Sequence, residues 1–151
     1  MDIIHVYTDG ASSGNPGPAG SAALVVGKSL IVQPLYVATN NVAEIWAIYL
    51  ALSHVEHGSS VVIHTDSRFA IGMLSKGWRT QHNEIARCVS LINQEIALND
   101  LVVSFQHIKG HNGDRYNGIV DQTAWAFSQR EKKAQAEGRT LAKISPIVFP
   151  A

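Results

Sequence analysis

The chain is poor in sulfur, in charge and in long apolar runs, and each shortage removes a class of protein. Its one cysteine, Cys88, permits no internal disulfide, which suits a reducing compartment. The longest apolar runs, such as 21–26, fall far short of the ~20 residues that a membrane helix needs. No secretory leader is visible behind Met1, so a cytoplasmic location with no membrane partner is expected. Charged residues make up only 16%, too few for a chain kept disordered by self-repulsion. Twelve basic residues balance twelve acidic ones, so net charge by itself advertises no polyanionic partner. Repeats and low-complexity tracts are lacking too.

What is present is a 46% hydrophobic chain of 151 residues, enough to bury the core of one domain. β-Branched and aromatic residues predict a strand over 3–8 ending at Asp9-Gly10, and two more at 21–26 and 30–37. Val42, Ile45, Trp46, Tyr49 and Leu52 recur at helical spacing, which predicts a helix over 42–56 closed by Gly58. A strand at 60–65, a short helix at 67–75, a helix at 82–97, a strand at 101–108 and a last helix from about 119 to 135 complete the pattern. Cys88 shares the stripe of Ile85, Val89 and Ile92 and reads as a core thiol. The order βββαβααβα predicts an α/β fold with one mixed sheet of five strands, three antiparallel and then parallel additions, flanked by helices. Residues 1–135 are expected to be one domain, and 136–151 a tail of unassigned role. Arg130, Lys132, Lys133, Arg139 and Lys143 crowd its neighbourhood, either as a solvated face or as seekers of phosphate.

Four acidic residues call for explanation, and each has an ordinary one. Asp9 with Gly10 is a turn former. Glu44 follows Asn41 by three residues, as in a capping box. Asp66 before Ser67 can cap a helix, and Asp121 early in the last helix favours its dipole. Together they suggest more. Asp9 and Asp66 are expected at the carboxyl ends of sheet strands, where ligands bind in open sheets. Glu44 and Asp121, read as first-turn residues, can point to the same edge. Two charges 4 Å apart cost about 4 kcal/mol at an effective dielectric of ~20, so such a cluster needs protons or cations. Oxygen ligands without cysteine suit Mg2+ or Mn2+ rather than Zn2+.

These residues sit in recognisable runs. Residues 7–20, YTDGASSGNPGPAG, resemble the opening signature of the type 1 ribonucleases H. TNNVAE at 39–44, IHTDS at 63–67 and KGHNG at 109–113, with Asp121 ten residues after His111, resemble the family's other motifs in the family's order. The resemblance covers residues 3 to about 128. It implies a ribonuclease H-like fold and a monomeric enzyme of the endonuclease class, a hydrolase that cuts the RNA strand of an RNA–DNA hybrid and leaves 5′-phosphate and 3′-hydroxyl ends. Two Mg2+ ions, roughly 4 Å apart and replaceable by Mn2+, are implied at the scissile phosphate. Asp9 is implied to bridge them, Glu44 and Asp66 to serve the leaving-group side, and Asp121 the water side. His111 is implied to assist proton transfer or product departure, work that suits a group titrating near neutrality.

The same resemblance implies the substrate contacts. Only RNA carries the 2′-hydroxyl, and Glu44 can accept a hydrogen bond from it. Asn15 and the backbone of 14–17 are implied to follow the minor groove, with Gly10, Ser12 and Gly14 beside them. Asn40 and Asn41 are implied to reach sugars and base edges, and Thr39 a phosphate of the DNA strand. None of these reads sequence. Two features depart from the pattern. The long basic, Trp-rich insertion of some members is missing, leaving Lys76, Trp78 and Arg79 as a remnant or as packing. Arg68 stands where several relatives carry a neutral residue, able to contact RNA or to pair with an acidic ligand. Alternative readings are a DNA-acting nuclease or resolvase of the same superfold, a non-catalytic hybrid-binding module, and a domain cut from a reverse transcriptase. The Gly-Asn-Pro-Gly loop and the Thr-Asn-Asn segment speak against the first, the complete set of four acids against the second, and the Met start with the trailing tail leads us to expect a free-standing protein rather than the third.

Overall fold

The computed structural model describes residues 2–109 and 114–142. Its elements are β1 (Ile3–Ser12), β2 (Gly17–Val25), β3 (Ser29–Ala38), α1 (Asn40–Leu52), β4 (Ser60–Thr65), α2 (Arg68–Ser75), α3 (Asn83–Leu98), β5 (Val102–His107) and α4 (Arg115–Ala136). They form one five-stranded sheet in the order β3-β2-β1-β4-β5. The β1–β2 and β2–β3 pairs are antiparallel, and the β1–β4 and β4–β5 pairs are parallel. The expected α/β class and element order are both found.

Period-two burial divides the sheet. Val6, Val61 and Ile63 point to one face, beneath α1, where Ile45, Trp46 and Ile48 are all but fully covered and Ile85, Cys88 and Ile92 of α3 close the cluster. Each large side chain buried there stabilises the fold by ~1.5–3 kcal/mol before the entropy of ordering is counted. Burial pushes the Cys88 thiol up to about 12, as befits an inert core thiol. On the opposite face Ala22, Val120 and Ala124 make a smaller cluster, with Tyr7, Ala11 and Leu24 packed against it under α4.

Several boundaries differ from expectation. Asp9-Gly10 is no turn: β1 runs on to Ser12, and its antiparallel register with β2 continues from Asp9↔Ala22 to Ser12↔Ala19. Helix α1 starts at Asn40 with Thr39 as its cap, the threonine side chain accepting from Val42 N–H. It stops at Leu52 rather than at 56, because Ser53 and His54 side chains take up the Leu50 carbonyl and the Ser53 N–H bonds Tyr49 O. Gly58, with φ +80, instead turns the chain into β4, and its N–H bonds Asn99 O at 2.7 Å. Helix α4 starts at Arg115, capped by Asp114, earlier than expected. It exceeds the length of a membrane span but carries too many polar residues; no described helix is long and apolar enough to cross a membrane.

A buried carboxylate secures the chain beyond α4. Glu131 is 0% exposed and accepts from Leu141 N (2.7 Å), Ala142 N (3.1 Å), Thr140 Oγ1 (2.6 Å) and Gln135 Nε2 (2.6 Å). Gln135 also bonds Tyr36 O of β3. The start of the tail is therefore tied to the body by full satisfaction of one buried acid. The apolar segment 145–150 lies outside the described residues.

Candidate active site

The last parallel rung joins Tyr7 to His64, and their rings stack at 4.3 Å with planes 9° apart. Two residues further along each chain stand Asp9 and Asp66, at the edge where β4 gives way to the turn into α2. The parallel register thus carries both acids to the same place, but only Asp66 follows a strand end; Asp9 lies inside β1, which runs on to Ser12.

Glu44 reaches them from above. It is the fifth residue of α1, too far from the helix start to form the capping box that its spacing suggested. Its place depends on Gly10. A Cβ at position 10 would lie 2.3 Å from Ala43 C and 2.4 Å from Glu44 N, so only glycine lets α1 settle this close to β1. Ser21 Oγ donates to Ala43 O at 2.6 Å and pins the same turn from β2. One oxygen each of Asp9, Glu44 and Asp66 then lies within 4.8 Å of the other two.

Asp66 does not cap α2, contrary to expectation. Ser67 does, accepting from Ala70 N–H at 3.0 Å. Ser67 also hydrogen-bonds the Glu44 carboxylate and lowers its pKa. Sequence reasoning gave Ser67 no part in the site; the signal available was a residue known to favour caps, standing directly after the third acid. Asp121 is the seventh residue of α4, one turn deeper than expected, and its charge still reaches Asp9.

The electrostatics are those of crowded like charges. Burial, then the Asp66 and Glu44 charges, push the Asp9 carboxyl up to about 8 from 3.8; the Gly10 N–H, bonded to Oδ1 at 2.9 Å, opposes this, and Asp121 adds a smaller push. Burial foremost, helped by Asp66, raises Glu44 to about 7 despite Ser67. Carboxyls that resist ionisation at neutral pH, although grouped with hard oxygen donors only, fit a divalent cation, which would supply the missing positive charge.

Beside the acids, the β1–β2 loop and the start of α1 form one hydrogen-bonded unit. Asn15 Oδ1 accepts from Asn40 N (3.0 Å), and Asn40 Oδ1 accepts from Ser12 N (2.9 Å). The single Ser12 Oγ–H is shared between Ala38 O, at 2.8 Å, and Gly14 O. Each asparagine thus spends its oxygen inside the protein, and neither NH2 group has a partner among the described residues. Asn41 is exposed on the same turn, and Thr39 is occupied as the cap. Arg68 opens α2, exposed. His111 lies outside the described residues.

Comparison with known proteins agrees with this geometry. The profile of the family described as RNase H matches residues 1–129. Ribonuclease HI of Synechocystis sp. is 35% identical over 149 residues, spanning 89% of this chain and 93% of that protein. RNase H1 from the halophilic archaeon Halobacterium salinarum NRC-1 superposes with a TM-score of 0.72 at 25% identity, covering 85% of this chain and 99% of that one. LC11-RNase H1, solved in complex with RNA/DNA hybrid, shares the fold with a TM-score of 0.68 at 20% identity, over 84% of this chain and 97% of that one. The profile runs through all four acidic positions, and the chain belongs to the RNase H family.

Proposed function

We propose that this protein is an endonuclease that hydrolyses the RNA strand of RNA–DNA hybrids, aided by Mg2+ held among Asp9, Glu44, Asp66 and Asp121, and leaves 5′-phosphate and 3′-hydroxyl ends. The observation that carries this reading is the meeting of three carboxylates within 4.8 Å at the sheet edge of an RNase H fold. When bound, divalent ions supply an acidified water and charge neutralisation at the phosphate.

The chain's own residues do the rest. Asp9 is the most buried of the three grouped acids, and burial with the neighbouring charges raises its pKa, so it would hold a divalent cation whose charge offsets that crowding. Ser67 biases Glu44 toward its charged form, in which it can accept from a 2′-hydroxyl and so favour RNA. The NH2 groups of Asn15 and Asn40, with Asn41, Ser12, the backbone of Gly10 and Gly14, and Thr39, lie along the path assigned to the hybrid. They bind sugars, a phosphate and base edges without discriminating between bases, so cutting is largely independent of sequence. His111 takes the proton-transfer or product-release role. The protein works as a cytoplasmic monomer, with residues 1–135 as the catalytic domain.

The test is a cleavage assay with the two strands of a hybrid labelled separately, run with Mg2+ and with chelator. Cutting of the RNA strand alone, only with metal, is expected. Cutting of the DNA strand, of duplex DNA, or equal cutting in chelator would overturn the reading.

A further inference from the structure

A second concave feature lies one strand away from the acids. Strand register sets His107 of β5 beside Thr65, the residue before Asp66. Between this end of β5 and α2 opens a crevice of about 320 Å³, lined by Arg68, Ile71, Lys76, Trp78 and His107. Among the described residues its lining holds no carboxylate. Neither Arg68 nor Lys76 has an ion-pair partner among the described residues. In a chain of zero net charge, two uncompensated cations facing one hollow are a local exception.

The wall of the crevice is built rather than incidental. Trp78 is 49% exposed, yet it is held firmly. Gly77, with φ +68, folds the chain back so that Lys76 N and Trp78 N both bond Gly72 O at 3.1 Å. The indole lies flat on Gly72, where a Cβ would come 2.1 Å from Trp78 Cε3. Position 72 must lack a side chain for the indole to sit there. A large aromatic fixed in place while half in solvent, between two cations that have no ion-pair partner among the described residues, is the arrangement of a binding surface.

We propose that this crevice binds a backbone phosphate of the nucleic-acid substrate, with Arg68 and Lys76 as the charge-bearing donors, His107 as a further donor and Trp78 as a rigid wall. Arg68 follows Asp66 by two residues, a reach of about 7 Å at most along the chain, so the phosphate it takes is a near neighbour of the scissile one. The site compensates for the missing basic insertion. This rests on the reading of the protein as a nuclease acting on hybrids.

The experiment measures binding of a short RNA–DNA hybrid in chelator, so that no cleavage occurs, across a series of salt concentrations. The proteins compared are the wild type, Arg68→Ala/Lys76→Ala, Gly72→Ala, Trp78→Ala, and Lys28→Ala as a control cation paired instead with Glu56. The double variant is expected to weaken binding about tenfold or more and to reduce the log–log salt slope by about two, roughly one for each phosphate-facing cation. Gly72→Ala and Trp78→Ala should weaken binding with the slope kept, and Lys28→Ala should do neither. With Mg2+, the double variant's defect should fall on KM rather than kcat. A wild-type slope in the double variant, or a loss confined to kcat, would overturn the proposal, the latter placing Arg68 with the acids instead. Wild-type cleavage of the same hybrid reports separately on the function itself.

Discussion

Gly10 lies against the backbone of Glu44: a methyl group on Gly10 would come within 2.4 Å of the Glu44 nitrogen. This contact, between mid-strand β1 and the second turn of α1, sets the third carboxylate beside Asp9 and Asp66. Gly10→Ala must therefore push α1 outward. Overpacking of this kind costs about 1–3 kcal/mol, and a shift of about 1 Å in a catalytic group can cost ~100-fold in rate. Cleavage rate and urea midpoint, measured on the same preparation, should both fall; unchanged cleavage would mean that Glu44 does not depend on this contact.

The raised acids make a prediction about metal-free stability. Asp9 titrates near 8 in the folded chain and near 3.8 ordinarily, so between those values the folded state holds a proton that the unfolded state has lost. Stability must then fall as pH rises through that window. Glu44, raised to about 7, acts in the same direction. Without metal, the melting temperature should drop between about pH 5 and pH 8, and Asp9→Asn should drop less. Added Mg2+ should restore the wild type at pH 8 and have little effect on Asp9→Asn. Calorimetry at both pH values checks the sign.

Ser67 does two jobs, and its removal should show both. Ser67→Ala deletes the α2 cap, at a cost of about 1 kcal/mol. It also removes the hydrogen bond that lowers the Glu44 pKa, so Glu44 holds its proton to higher pH. The Mg2+ concentration for half-maximal cleavage should rise several-fold near pH 7 and by less near pH 9, since one pKa unit is tenfold in the charged fraction. An equal rise at both pH values would assign Ser67 to structure alone.

Glu131 is expected to matter for stability and not for chemistry. Glu131→Ala leaves the N–H groups of Leu141 and Ala142 and the Thr140 hydroxyl without their acceptor. The loss should be roughly 2–4 kcal/mol, read as a lower urea midpoint, together with faster proteolysis after α4. A midpoint equal to wild type would show that the tail's start is not tied down by this residue.

These cases show what could be read from the sequence and what could not. Element order followed from hydrophobic period, and the four acids followed from motif spacing, because both are local patterns. The ends of elements were less legible. Asp9-Gly10 looked like a turn because the pairing that carries β1 to Ser12 comes from β2, and the reason for Gly10 is a helix more than thirty residues away. Glu44 and Asp121 looked like first-turn residues because Thr39 and Asp114 were not recognised as the caps that start their helices. Glu131 carries no local signal of its role, since nothing in its own stretch shows that its partners lie at 140–142. The crevice at Trp78 depends on a glycine in α2 and a histidine in β5, a juxtaposition that only the tertiary fold creates.

The most direct test of the central claim is anomalous diffraction from crystals soaked in Mn2+. Density is expected for a cation in contact with oxygens of Asp9, Glu44 and Asp66, lost in Asp9→Asn crystals that keep the fold. No cation there at saturating Mn2+, or one that persists in Asp9→Asn with the same ligands, would contradict it.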